Sequence, residues 1–337
     1  MNTRDVLKKL RKANFMHPKF EEAFDRVYAH AALGLTDSVI MVVGPTRVGK
    51  TTLSRLLESK LACSDLVEGS DIPLIRIEAA TTDRGFISSK YLTLRMLQAL
   101  KHPFYDDDGY QARLSDSETK LRSRLDKALR ARGTRFILID EAHHLLRTKS
   151  NRAIGSVLDS LKCLANETGV ILILFGGYEL LKTCFQSAHL NGRATFIDFS
   201  NYKATGADIH VYDGILASID RLLPWANGHC LLNYRNFIYS GTLGCYGLLI
   251  RWISAALAEM EAAKSKTLKM LHFSRTQLKE QIAPIKDDIE LGVSLMNELA
   301  STDGDELSIP GRSRNRGAHR ASLKPGTRKP GRDPVGV

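Results

Sequence analysis

Nine residues, from Gly44 to Thr52, have the types and the spacing of a phosphate-binding loop. They read Gly-Pro-Thr-Arg-Val-Gly-Lys-Thr-Thr, which fits the pattern GxxxxGK[ST] completely. The loop follows an apolar run and opens a helical pattern, so its N–H groups and the helix N-terminus would face bound phosphates. We expect Lys50 to reach the β- and γ-phosphates and the Thr51 hydroxyl to bind Mg²⁺. The predicted nucleotide-binding residues are Gly44, Pro45, Thr46, Arg47, Val48, Gly49, Lys50, Thr51 and Thr52.

A pair of carboxylates, Asp140 and Glu141, follows the apolar run Phe136–Ile139. Ligands of open parallel sheets bind at the carboxyl ends of the strands. We therefore expect Asp140 to be a metal residue that orients Mg²⁺ through its water shell, and Glu141 to polarise the attacking water as general base. An acidic pair alone also fits a solvated strand end, but beside this loop it indicates nucleotide hydrolysis. ATP is favoured over GTP because the sequence has no NKxD-type guanine motif.

Arg193 is the candidate for a catalytic arginine that acts on the γ-phosphate of a neighbouring subunit. It lies in Leu190-Asn191-Gly192-Arg193-Ala194, directly before the fifth predicted strand. An arginine at a subunit contact can stabilise the charge of the transferring phosphoryl group. A lone surface arginine also fits ordinary solvation, so this assignment rests on position. A polar sensor is expected after the fourth strand, but Gly176-Gly177-Tyr178 offers no Asn or Thr there.

Strand-like and helix-like patterns alternate around these motifs. The apolar, β-branched runs are Val39–Val43, Leu74–Ala79, Phe136–Ile139, Val170–Phe175 and, more weakly, Thr195–Phe199. Helical patterns separate them, which indicates an α/β fold with a largely parallel sheet covered on both faces. After Asn201 only helical patterns follow. We predict an N-terminal helical segment at 1–35, an α/β ATPase core at 36–203, a helical lid domain at 204–305 and a disordered basic tail at 306–337.

Composition supports an ordinary globular body with a charged appendage. The chain has 337 residues, of which 43% are hydrophobic and 25% charged, with a formal net charge of +11. Eight lysines and arginines against one aspartate lie between Gly311 and Val337, so the tail alone carries +7. No apolar run reaches the roughly 18–20 residues that span a bilayer. The five scattered cysteines favour neither disulfides nor a zinc site. We therefore expect a cytoplasmic protein without a membrane partner.

The order of these motifs resembles AAA+ ATPases of the initiator-like branch, and more closely the TnsC/TniB transposition regulators. The resemblance extends from about Pro18 to Ala263. The chain differs from the family pattern at Gly177, at Ala194 and after Gly244, where Arg251 is a weak substitute for the usual arginine. The segments that carry the resemblance are Phe15–Ala23 (FMHPKFEEA), the loop VVGPTRVGKTT, the strand FILIDEAHHL, the turn Leu174–Gly177, the triplet Gly192-Arg193-Ala194 and the lid signature Gly241-Thr242-Leu243-Gly244.

The resemblance implies an AAA+ P-loop NTPase core with a C-terminal helical lid, using ATP and Mg²⁺. It also implies assembly with copies of itself, as a ring or helical filament, on double-stranded DNA. Such an assembly links a target-selection protein to the transposase in DNA transposition. Two alternatives stay open: an ATPase of the replication-initiator or helicase-loader type, and a scaffold that binds ATP without hydrolysing it. The intact Lys50, Thr51, Asp140 and Glu141 weigh against the scaffold.

Overall fold

The structure is a computed structural model that describes residues 3–12, 17–34, 39–62, 71–80, 87–105, 116–146, 151–186, 194–277 and 279–305. The chain divides into two compact units, Met1–Met296 and Asn297–Val337. The sheet and the residues of the candidate site lie within the first unit. The predicted basic tail at 306–337 and Arg193 lie outside the described residues.

Five parallel strands form one sheet in the order β2-β3-β4-β1-β5. This confirms the predicted α/β fold with a parallel sheet. The runs expected from the sequence are the strands observed, with ends shifted by one residue or less. The bounds are β1 Val39–Val43, β2 Leu74–Glu78, β3 Phe136–Asp140, β4 Ile171–Gly176 and β5 Ala194–Asp198.

The central strands are continuous apolar runs because both of their faces are covered. Every residue of β1, β3 and β4 is buried. Two helices, α2 (Pro18–Ala32) and α3 (Lys50–Ala62), pack with alternate strand residues such as Ile40 and Ile173 in one apolar cluster. Helices α4 (Ser89–Ala99) and α6 (Asn151–Thr168) contact β2 and β4. Full burial of the strands fixes the edge from which the functional loops emerge.

The remaining helices lie between and after the strands. Among them, α5 is capped by the hydroxyl of Ser117, which accepts from the backbone N–H of Lys120. The bounds are α1 Thr3–Lys12, α5 Glu118–Ala131, α7 Glu179–Gln186, α8 Ala207–Asp220, α9 Arg235–Thr242, α10 Tyr246–Ala262, α11 Met270–Arg275 and α12 Lys279–Asp305, with short 3-10 helices at Ala142–Leu146 and Leu232–Tyr234.

Helices α8 to α11 share a second hydrophobic core, centred on the fully buried Trp252. The first helix joins this core through Val6 and Leu10 rather than packing on the sheet. The last two helices are separate, because α11 ends at Arg275 and α12 begins at Lys279.

Among the described residues, no single helix is long and apolar enough to cross a membrane. One pair, Leu232–Thr242 with Tyr246–Ala262, passes that test together on length and composition, with a bend of 111° between its members.

Candidate nucleotide-binding site

The phosphate loop connects the end of β1 to the start of α3 at the carboxyl edge of the sheet. Strand β1 lies between β4 and β5, with Val43 in register with both Gly176 and Asp198. The loop has a sharp backbone path, since Gly49 has φ +126° and Arg47 has φ +68°. A non-glycine residue in the left-handed region is uncommon and is held there by its surroundings. The loop therefore turns tightly between the end of β1 and the start of α3, which is where the sequence predicts it.

Lys50, the first residue of α3, folds its side chain back over the loop. Its Nζ donates to the carbonyl oxygens of Gly44 and Pro45, each at 2.8 Å. Burial lowers the pKa of Lys50, while the nearby carboxylates of Glu141 and Asp288 act in the opposite direction. The ammonium is thus the buried positive charge of the loop, placed where phosphate oxygens would replace its backbone acceptors.

The two predicted metal residues, Thr51 and Asp140, come together. Asp140 ends β3, is 3% exposed, and accepts a hydrogen bond from the side chain of Thr51. Burial raises the pKa of Asp140, and the guanidinium of Arg76, with Nη1 3.8 Å from Oδ2, opposes that rise. A hydroxyl and a carboxylate beside a phosphate loop are the hard oxygen donors that Mg²⁺ takes. These residues fit the predicted ion.

Glu141 lies one residue beyond the strand and faces the cavity. Its φ is +52°, and its N–H donates to Asp140 Oδ1 at 3.0 Å, so the backbone turns sharply between the two acids. The Glu141 carboxylate is 3.3 Å from Nδ1 of His143, on the 3-10 helix that follows. The side chain is 39% exposed. The turn therefore separates the two carboxylates by role: Asp140 is buried beside Thr51, and Glu141 is accessible.

One cavity of about 820 Å³ collects most of the predicted residues. It also contains residues that the sequence reasoning missed, from three helices beyond β3. Its lining residues are Thr46, Arg47, Gly49, Lys50, Thr51, Thr52, Glu141, His143, Gly177, Glu179, Gly247, Pro284, Asp287, Asp288 and Leu291. Four of these belong to α12, for which no motif in the sequence gave a signal.

Helix α10 touches the phosphate loop through Gly247. A Cβ at position 247 would collide with the carbonyl oxygen of Arg47, so only glycine permits this approach. The predicted lid signature ends three residues earlier, at Gly244, where φ is +70° and a Cβ would collide with the Tyr202 carbonyl. The signature thus located the start of α10, although it did not identify the glycine that meets the loop. Among the described lining residues, Arg251 is absent.

The N-terminal segment that carried part of the family resemblance links the sheet to the helical region. His17 caps α2, since its Nδ1 accepts from the N–H of Phe20, and the hydroxyl of Tyr202 lies 2.7 Å from the same atom. The ring also packs against Phe199 and Tyr246. Burial, followed by the charge of Lys19, lowers the pKa of His17 to about 4. The neutral His17 ring is therefore packed where α2, the residue after β5 and the start of α10 meet.

Comparisons with known proteins agree with this architecture. Residues 34–184, less than half of the chain, match the family described as an AAA domain. Among solved structures, the chain is similar to the Aeropyrum pernix ORC1 protein in complex with DNA (16% identity, TM-score 0.58, covering 77% of this chain and 65% of that one). It is also similar to Cdc6p from Pyrobaculum aerophilum (14% identity, TM-score 0.55, 77% and 66%). A third is the Aeropyrum pernix ORC2 protein in ADPNP–ADP complexes (17% identity, TM-score 0.51, 76% and 66%).

The sheet order, the loop and these similarities show that the chain has an AAA+ P-loop NTPase fold. The chain spans about two thirds, at most 66%, of the length of the ORC and Cdc6 structures named above. No curated protein matches the sequence. At these identities the likeness establishes the fold.

Proposed function

We propose that this protein is a Mg²⁺-dependent ATPase. One observation carries the proposal: the loop residues Lys50 and Thr51 line a single cavity with Glu141 at the carboxyl edge of the sheet, and Asp140 beside them accepts a hydrogen bond from Thr51, although the two pairs lie far apart in the sequence. ATP and Mg²⁺ fit the donors present, namely loop amides, a buried ammonium, a hydroxyl and a carboxylate. The bound ion would neutralise phosphate charge.

The protein's own residues have distinct parts in this chemistry. Lys50 exchanges its carbonyl acceptors for phosphate oxygens. Arg76, paired with Glu58 at 2.7 Å, fixes the direction of the Asp140 carboxylate as a positioning residue. Glu141 accepts the proton of the attacking water, and His143 beside it helps to orient its carboxylate. Arg193 supplies an arginine to the neighbouring subunit's site, a role that rests on its place in the sequence.

The test separates binding from hydrolysis, with a matched control for each change. Lys50→Ala should abolish measurable ATP binding, while Lys60→Ala, at the exposed end of the same helix, should bind normally. Glu141→Gln should bind ATP but lose at least about a hundredfold in turnover, the usual worth of a general base. Glu78→Gln removes an exposed carboxylate at the end of β2, opposite Asp140, and should turn over at the wild-type rate.

Three results would contradict parts of this proposal. Undiminished ATP affinity in a folded Lys50→Ala protein would remove the loop from nucleotide binding. Near wild-type turnover in Glu141→Gln would remove Glu141 as the base. Absence of turnover in the wild-type protein, with ATP still bound, would favour the non-hydrolysing scaffold.

We further propose that the ATPase assembles with its own copies on double-stranded DNA and links target selection to a transposase in the cytoplasm. Support comes from the family resemblance of the sequence and from the net charge of +7 between Gly311 and Val337, which suits a phosphate backbone. The likeness to the ORC1 protein, which was solved in complex with DNA, keeps an initiator-type role as the alternative. ATP-dependent retention of a transposase on duplex DNA carrying this protein would favour transposition. Retention of a replicative helicase instead would favour the initiator.

A further inference from the structure

One face of α12 lies along the mouth of the phosphate loop. Pro284, Asp287, Asp288 and Leu291 all line the cavity that contains Lys50 and Glu141. Residues three and four apart share a face of a helix, so this set is one continuous face directed at the site. The helix is therefore part of the site, although none of its residues belongs to the nucleotide-binding motifs.

Asp288 contacts the loop at a group that would otherwise face an anion. Its Oδ2 accepts a hydrogen bond from the backbone N–H of Thr46 at 3.2 Å. Loop amides of this kind are the donors that phosphate oxygens use. The Asp288 carboxylate is thus an anion, smaller than a phosphate group, at an amide that could also donate to phosphate.

The charges around Asp288 also indicate that its carboxylate lies where an anion would bind. Lys50, the cation expected to pair with the β- and γ-phosphates, attracts the Asp288 carboxylate, as does the Thr46 amide. Burial nevertheless raises the pKa of Asp288, and Glu179 adds to the rise. The Asp288 carboxylate therefore contacts groups that a bound phosphate would also need. Because the carboxylate is buried and lies near Glu179, a second anion beside it would be unfavourable.

Apolar side chains hold α12 in this position. Ile282, Ile285 and Ile289 pack against a small patch formed by Leu243, Cys245 and Leu248 at the start of α10. One turn further along α12, Gly292 lies so close to the ring of Tyr178 that a Cβ would collide with it. The patch is small compared with the core beneath the sheet, which makes the docking of α12 reversible at modest cost.

We propose that α12 is a built-in competitor of the nucleotide: Asp288 occupies the anion position of the phosphate loop, and ATP binds fully only when α12 moves away. The inference rests on the proposed nucleotide binding and names its regulation. Because the docked state cannot bind ATP fully, the apparent affinity is reduced by the fraction of molecules that are docked. A charge-assisted hydrogen bond of ordinary strength corresponds to about a tenfold reduction.

The test measures ATP affinity of the full-length protein by calorimetry in the presence of Mg²⁺. Asp288→Asn keeps the shape of the side chain but removes its charge, and should tighten ATP binding about tenfold. Ile285→Ala loosens the patch without changing any charge and should also tighten binding, as should Ile289→Ala if the first anchor variant fails to fold. Glu290→Gln is the matched control: it removes a carboxylate from the same helix, paired only with Lys286 among the described ion pairs, and should bind like the wild type.

The outcomes separate this inference from the function on which it rests. Weaker ATP binding by Asp288→Asn would overturn the competitor and make Asp288 a nucleotide-binding group. Tighter binding by Asp288→Asn with no change in either anchor variant would overturn displacement and leave only charge repulsion. Unchanged affinity in all variants, with Lys50→Ala still unable to bind, would contradict the inference and leave the nucleotide site intact. ATP binding by none of the proteins would contradict the proposed function itself.

Discussion

The two sides of the cavity are constructed differently. The sheet side, formed by the phosphate loop, Glu141 and Gly177, extends from strands that are fully buried and hydrogen-bonded in register. On the helical side, Gly247 belongs to α10, which is anchored in the second hydrophobic core, whereas the α12 face with Asp288 is attached by a small apolar patch, the close approach of Gly292 to Tyr178 and one amide contact to the loop. The difference implies a fixed sheet side that performs the chemistry and a movable helix, α12, that regulates access to it.

The largest predicted difference between the two sides is in folding stability. Leu53 lies in α3 just behind the loop and is fully buried, so Leu53→Ala should lower the free energy of unfolding by about 3 kcal/mol. Ile289, on the helical side, is only partly buried, and Ile289→Ala should cost about 1 kcal/mol. Urea unfolding followed by circular dichroism measures both. Equal losses would show that the helical side is as firmly built as the sheet side.

The contact region around His17, where the sheet and the helical region meet, should make the folding stability sensitive to acid. His17 is buried with a pKa of about 4, against an ordinary value near 6.5, so the unfolded chain takes up its proton first as the pH falls. Its contribution to stability is complete above about pH 6.5 and is lost as the pH falls towards 4, amounting to about 3 kcal/mol.

The variant His17→Asn isolates this effect, because asparagine can cap α2 without titrating. The difference in unfolding free energy between wild type and His17→Asn should shrink by about 3 kcal/mol from pH 7.5 to pH 4. His210→Asn, an exposed histidine on α8, serves as the matched control and should show no such change. A pH-independent difference for His17→Asn would contradict the buried neutral ring.

A smaller effect should follow from separating the two sides at the point where they touch. Gly247→Ala places a methyl group against the Arg47 carbonyl, and overpacking of this kind costs about 1–3 kcal/mol. We expect weaker ATP binding, since the loop must shift. Gly214→Ala, in α8 with no atom within 4 Å of the added Cβ, should leave ATP binding unchanged and stabilise the protein slightly. Normal ATP affinity in Gly247→Ala would mean that this contact does not shape the loop.

The difference between the sheet side and the helical side also explains which parts of the fold and of the candidate site could be predicted from the sequence. The central strands β1, β3 and β4 were predictable because they are almost entirely apolar runs, and the positions of Lys50 and Asp140 follow from strands that end at a common edge. Asp288 was not predictable, because an acidic residue on a polar helix is ordinarily solvated and its partner, Thr46, lies 242 residues away. The docking of α1 through Val6 and Leu10 was missed for a similar reason: a short amphipathic pattern does not identify its partner.

Hydrogen exchange of the Glu141→Gln protein, with and without ATP and Mg²⁺, tests the central claim most directly. This variant keeps the nucleotide intact during the measurement. The account predicts that amides of the loop and the first turn of α3 exchange more slowly with ATP, while those of α12 from 282 to 292 exchange faster. Slower exchange in both segments would mean that α12 closes on the nucleotide, which would contradict the account.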